Sequence, residues 1–327
     1  MAAAEDIKAL LKSHANRDDQ QFYSIALQVA AKEARQGHHK LANELKVLIE
    51  KSQKTHTLGI SERSPIPLKK QPVGELKGLL DLKPACIRRN ELVLSEEIST
   101  RLNQVLLEQR QKAKLSEFGL LPRNKLLFLG PPGTGKTMSA TVLATELKLP
   151  LYTVVLDCLM TRFMGETAAK LRLIFDYIKQ AKAVYLFDEF DAIGTHRGAQ
   201  NDVGEIRRVL NSFLLFIEQD TSESIIIAAT NHPKLLDEAL YRRFDDIILF
   251  ENPGPEQIKR LIENRMCMFN TNHLEWNKIS AKAMNLSSAE ISRACEDAAK
   301  EAVLNHEGEF NSSLLLQAIE RRQIGIK

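Results

Sequence analysis

The sequence contains no long apolar run. Nowhere do about 18 apolar residues follow one another, so no membrane-spanning helix is expected. Aromatic residues are scarce, at 6% with a single tryptophan, which leaves few stacking platforms for single-stranded nucleic acid. There are only four cysteines, Cys86, Cys158, Cys267 and Cys295, and none stands in C-x-x-C spacing. That scatter excludes a disulfide framework, argues against a zinc site, and reads as thiols in a reducing compartment. A formal net charge of +3 is too small to argue by itself for a nucleic-acid partner. The first residues, Met1-Ala2-Ala3-Ala4-Glu5-Asp6, have no basic stretch before an apolar core, so no secretory signal is expected and the location expected is cytoplasmic.

What is present is ordinary globular material, 44% hydrophobic and 27% charged over 327 residues, more than one average domain. Residues 1–52 carry helical stripes, the clearest being Phe22, Ile25, Ala26, Val29 and Ala30, and predict a small helical unit, either a structural appendage or one that docks a partner. Residues 53–91 hold Pro65, Pro67, Pro72 and Pro84 with little periodicity and read as a linker. Its basic excess is the usual mark of a solvated linker, with contact to nucleic acid as the alternative. Residues 92–252 open with a helix capped at Ser95. They continue with apolar strand-like runs at Lys125–Leu129, Leu151–Leu156, Ala183–Phe187, Ile225–Ala229 and Ile247–Phe250, separated by helical patterns. This alternation predicts an α/β fold, a parallel five-stranded sheet with helices on both faces. After Asn252-Pro253-Gly254-Pro255 the strands cease, and residues 253–327 predict an all-α unit.

The chemistry gathers at strand ends. Gly130-Pro131-Pro132-Gly133-Thr134-Gly135-Lys136-Thr137 follows the first strand and precedes a helix, which is the setting of a phosphate-binding loop. The loop at Pro132 to Met138 would surround phosphates, with the backbone N–H groups of 133–138 as donors; Lys136 would reach the outer ones, and the Thr137 hydroxyl would hold Mg²⁺. Asp188 and Glu189 end the apolar run at Phe187, where Asp188 suits the metal's water shell and Glu189 suits polarising an attacking water. Asn231 ends another apolar run, where it could orient the water or cap an Asx-turn. Arg242 and Arg243 are surface charge in isolation, but beside a nucleotide they could stabilise transition-state charge.

Taken together, these motifs resemble the ATPase module of the AAA family within the AAA+ superfamily, over about Leu92 to Lys327. The 130–137 loop is similar to that family's Walker A, Asp188-Glu189 to its Walker B acids, Asn231 to sensor 1, and 236–245 to the second region of homology with its arginine fingers. The resemblance implies a stand-alone, bacterial-type P-loop module with a helical lid, ATP and Mg²⁺ as cofactors, and a homo-oligomer, a hexameric ring in which each site is completed in trans. The 236–245 segment is shorter than the common form, which leaves open whether Arg242 or Arg243 is the finger. The lid carries Ser287-Ser288-Ala289-Glu290 rather than Gly-Ala-Arg, so no arginine sensor is expected there, and Arg293 reads as a lid-surface residue.

Arg162-Phe163-Met164-Gly165-Glu166 resembles the family's first pore loop, with Phe163, Met164 and Gly165 gripping an extended polypeptide. The function this implies is ATP-driven remodelling, unfolding or disassembly of a protein substrate through a central pore. The alternative is a nucleotide-gated switch or DNA-associated remodeller that regulates a separate effector. A helical N-terminus on a stand-alone module resembles bacterial ATPases that accompany subtilisin-like proteases in phage (antiviral) defence.

Overall fold

The computed structural model describes residues 74–85, 89–159, 166–190, 202–233, 238–271 and 273–324, together with 72 and 87. The helical unit expected at 1–52, most of the 53–91 stretch and the pore-loop residues 163–165 lie outside the described residues.

The elements run α1 (Leu76–Leu79), β1 (Leu80–Lys83), α2 (Glu96–Arg110), α3 (Lys112–Glu117), β2 (Lys125–Leu129), α4 (Lys136–Leu147) and β3 (Leu151–Val154). They continue with α5 (Leu156–Leu159), α6 (Glu166–Gln180), β4 (Val184–Phe187), α7 (Asp202–Gln219), β5 (Ile225–Thr230), α8 (Glu238–Tyr241) and β6 (Asp246–Leu249). Four helices follow: α9 (Pro255–Arg265), α10 (Trp276–Ala283), α11 (Ser288–Asn305) and α12 (Ser312–Ile324).

The sheet has the order β1-β3-β4-β5-β2-β6. The five expected strands are present and run parallel to their neighbours. A sixth is added, because β1 pairs antiparallel with β3, Leu80 opposite Val154. The part of the 53–91 stretch nearest the sheet is therefore structured and not linker. Only Leu80 of the four β1 residues is buried, which is why so short an edge strand left no apolar run to read.

Strands β4 and β5 are buried at every position, as parallel strands covered on both faces must be. Alternate side chains divide between two cores. Leu127, Tyr152, Tyr185, Phe187 and Ile226 face α6 and α7, where Phe175 and Phe213 pack on Phe187. Leu126, Phe128, Leu186, Ile227 and Ile248 face α2 and α4. The start of β6 is tied to the other face by charge: the buried Asp246 accepts hydrogen bonds from Arg101 and, at 2.9 Å, from Arg123. Burial pushes the Glu108 carboxyl up, but bonds from the Arg123 backbone, Gln104 and the Arg123 guanidinium outweigh it and hold it below its usual value.

Helices α9 to α12 have a core of their own, with Ile258, Ile262, Ile279, Ile291, Cys295, Leu315 and Ile319 at its centre. α11 begins with a capping box: the Ser287 Oγ accepts from the Glu290 N–H and Glu290 Oε2 accepts from the Ser287 N–H. Burial pushes the Cys295 thiol up to about 12, against a smaller opposing pull from Arg265. Cys158 and Cys267 are exposed. At about pH 8 a thiol-directed reagent should therefore label Cys158 and Cys267 in the folded protein and reach Cys295 only after denaturation. Peptide mapping checks this, and labelling of Cys295 at the rate of Cys158 would contradict the packing described.

Candidate active site

The parallel registers bring three strand ends to one edge. Leu129 lies opposite Thr230, and Phe187 opposite Ala228, so the segments after β2, β4 and β5 leave the sheet side by side. The Gly130 N–H donates to the Thr230 carbonyl at 3.3 Å. Residue 130 must be glycine, because a Cβ there would stand 2.0 Å from the Phe250 carbonyl oxygen, with φ at +142°. Lys136, the buried first residue of α4, donates from Nζ to the Gly130 and Pro131 carbonyls, both at 2.7 Å. Thr134 closes the turn, its Oγ1 donating to the Pro131 carbonyl at 2.9 Å.

The Thr137 hydroxyl donates to Asp188 Oδ2 at 2.6 Å, which joins the phosphate-loop helix to the tip of β4. Glu189 follows at φ +50°, a left-handed conformation that a side-chain-bearing residue rarely holds and that costs about 1 kcal/mol or more. Two anchors maintain it. The Glu189 N–H donates to Asp188 Oδ1 at 3.0 Å, and the next N–H, of Phe190, donates to the Ala229 carbonyl at 2.8 Å. Phe190 is fully buried, its ring 4.4 Å from that of Phe213. The strained residue thus sits between two fixed ones, and its carboxylate is exposed.

A cleft of about 480 Å³ gathers Pro132, Gly133, Thr134, Gly135, Lys136, Thr137, Met138, Asp188, Glu189 and Asn231. All were singled out from the sequence. Its opposite wall was not assigned to the site: Leu92 and Val93 precede α2, Leu261 and Arg265 belong to α9, and Ser288, Ala289, Arg293 and Glu296 to α11. Arg293 is exposed, as a lid-surface residue should be, but on the face that borders the cleft. The spacing 289, 292, 293, 296 is one helical face, a signal that was available but without chemistry to mark it. The two walls touch at Gly133, whose carbonyl accepts from the Ala289 N–H at 3.0 Å. A Cβ on Gly133 would stand 2.6 Å from Ser287 Oγ, so only glycine lets the loop approach. Arg242 and Arg243 do not line this cleft; Arg242 is exposed and Arg243 Nε donates to Glu218 at 3.3 Å.

The donor chemistry suits a phosphate-bound cation. Thr137 and Asp188 offer hard oxygen atoms 2.6 Å apart. Among the described residues no group of three or more His, Cys, Asp or Glu side chains is placed to hold a metal ion. A family model described as "ATPase family associated with various cellular activities (AAA)" matches residues 126–252. The chain is also 34% identical to the "uncharacterized AAA family ATPase y4kL" of Sinorhizobium fredii, over 99% of this chain and 98% of that one. The chain belongs to the AAA family of ATPases.

Further relatives of this AAA ATPase are larger. The peroxisomal ATPase pex6 of Schizosaccharomyces pombe is 32% identical over 68% of this chain but 24% of its own length. The ATP-dependent zinc metalloprotease FtsH of Helicobacter felis is 28% identical over 78% of this chain and 42% of its own. The match to y4kL extends across nearly the whole chain, whereas these two match over part of it and over less than half of their own length. No helix among the described residues is long and apolar enough to cross a membrane.

Proposed function

We propose that this AAA ATPase acts as a ring of identical copies, hexameric on the family pattern, that couples ATP hydrolysis to the remodelling, unfolding or disassembly of a protein substrate in a central pore. The observation that supports the reading is the placement of the two arginines. Lys136, Thr137, Asp188, Glu189 and Asn231 share one cleft, whereas Arg242 and Arg243 lie outside it on the same chain. In this reading they serve the site of the adjacent copy. Residues 92–252 then form the hydrolytic part and 253–327 its lid.

In this reading the 133–138 amides and Lys136 bind the phosphates, Thr137 and Asp188 hold Mg²⁺, and Asn231 orients the attacking water. Mg²⁺, when bound, neutralises charge on the phosphate oxygens. Glu189 takes the proton from that water. Its backbone, pinned by Phe190, aims the carboxylate before nucleotide arrives. Phe163, Met164 and Gly165 grip substrate; their sequence pattern and their place just before α6 support this. Scattered thiols favour a cytoplasmic location. A separate protease partner in phage defence rests on the resemblance of the 1–52 unit alone.

Mixing two inactive variants tests the divided site. Lys136→Ala copies lack a phosphate lysine but keep both arginines, and copies carrying Arg242→Ala with Arg243→Ala keep the lysine. Each alone should hydrolyse little ATP. Mixed, they should regain activity where an intact cleft meets intact arginines. No recovery at any mixing ratio, with mixed assemblies verified, would sink the shared site.

A further inference from the structure

The turn that carries Arg242 and Arg243 is anchored on both sides. It is closed by the Arg243 N–H, which donates to the Leu240 carbonyl at 3.1 Å. Leu240 and Phe244, which flank it, are buried in the core that faces α6 and α7. Asp245 ties the chain to the start of β2. Its N–H donates to the Lys125 carbonyl at 2.8 Å, and its Oδ2 accepts from the Asn124 and Lys125 N–H groups, both at 2.9 Å. The next residue, Asp246, is gripped from the α2 side. Its Oδ1 accepts from Arg101 and its Oδ2, at 2.9 Å, from Arg123, which also pairs with Glu108 of α2 at 2.8 Å. The Asp246 side chain is 4% exposed. A buried ion pair adds little net stability over an apolar side chain of similar size, but two arginines on two carboxylate oxygens fix a direction. Asp246 stands opposite Leu126, so this anchor lies at the sheet edge away from the cleft, roughly 10 Å of strand from Leu129.

We propose that Asp246, held by Arg101 and Arg123, is a positioning residue that aims the Arg242-Arg243 turn at the nucleotide site of the adjacent copy; this rests on the shared site proposed above. Asp246 does not line the cleft of its own chain, so its effect on hydrolysis passes through the turn. With the start of β6 fixed in register and direction, the exposed Arg242 and the half-buried Arg243 leave the sheet from one defined place. Such placement matters to rate, because a shift of about 1 Å caused far from the chemistry can cost about a hundredfold. Without the carboxylate, two guanidiniums face a neutral group, and the strand start moves to relieve them. The arginine turn, joined to it through Asp245, moves with it.

The test is steady-state ATP hydrolysis by the full-length protein, with ATP affinity measured beside it. Asp246→Asn should lower kcat by roughly tenfold to a hundredfold and leave ATP affinity within about twofold of the parent. Added Lys136→Ala copies, inactive themselves, bring correctly aimed arginines and should raise the activity per Asp246→Asn copy several-fold. Added copies carrying Arg242→Ala with Arg243→Ala should not. Arg101→Gln removes the more exposed of the two arginines and should give a weaker form of the same pattern; it decides the matter if Asp246→Asn does not fold. A kcat within about twofold of the parent in both variants overturns the proposal. So does a loss of ATP affinity. A loss of kcat that Lys136→Ala copies do not repair, although they repair Arg242→Ala with Arg243→Ala, also overturns it, because the damage then lies in the variant's own cleft. If Lys136→Ala copies repair neither, the shared site itself fails and the role of Asp246 falls with it.

Discussion

Exchanging Glu189 for glutamine should leave ATP binding intact and lower steady-state turnover by roughly a hundredfold or more, the range of a lost general base. The expectation follows from how little else the substitution disturbs. The Glu189 side chain is exposed, and the turn is held by the backbone of 189 and 190 and not by the carboxylate. Glutamine has the same shape and tolerates the same φ of +50° about as well. It keeps acceptor capacity but cannot take a proton. Phosphate release under saturating ATP, beside direct nucleotide binding, gives the answer. Turnover within about threefold of the parent would assign the base elsewhere. Weakened binding with unchanged turnover would make Glu189 a binding residue.

The second large effect concerns stability. Gly130→Ala should destabilise the folded protein by about 3 kcal/mol or more, combining an overpacked position with a backbone conformation that alanine resists. The added methyl would fall 2.0 Å from the Phe250 carbonyl oxygen. Phe250 cannot yield easily, because its N–H donates to the Leu129 carbonyl at 2.6 Å and its ring packs 5.1 Å from that of Phe128. Relief must come from moving β2 against β6 or from displacing the loop. For a unit of this size the loss corresponds to roughly 6–12 °C in melting temperature. Nucleotide should rescue little of it, since the Lys136 acceptor at Gly130 moves with the strain. A melting temperature within about 2 °C of the parent would mean the loop relaxes freely, and the close approach to Phe250 would not be a constraint.

The sequence made one wall of the cleft readable and left the other opaque, for a physical reason. Asp188 and Asn231 directly follow largely apolar strands, where a polar residue breaks a pattern, and Lys136 and Thr137 close a glycine-rich loop after a third, so that their place at the sheet edge follows. Arg265, Arg293 and Glu296 sit on amphipathic helices whose polar faces all look like solvent faces. Nothing local separates a charge that meets a ligand from one that meets water. The same limit hid β1, where Leu80-Asp81-Leu82-Lys83 exposes three of four side chains and pairs only through its backbone to β3. The left-handed Glu189 was equally invisible, because its conformation is imposed by the packing of Phe190 on Phe213 and its bond to Ala229, partners distant in sequence. The all-α character expected for 253–327 is, by contrast, plain in the structure, where α11 runs Ser288–Asn305 with Ser287 and Glu290 setting its start.

The contact between Ala289 and Gly133 bears on how nucleotide enters and leaves. As the second residue of α11, Ala289 has no acceptor within its own helix, so its N–H is satisfied across the cleft only while the walls are together. When they part, water can take the place of the Gly133 carbonyl at a net loss of about 1 kcal/mol. That is a latch near thermal energy. It sets the resting register of the lid without locking it. A ligand that touches both walls therefore shifts the balance between open and closed mainly through its own contacts.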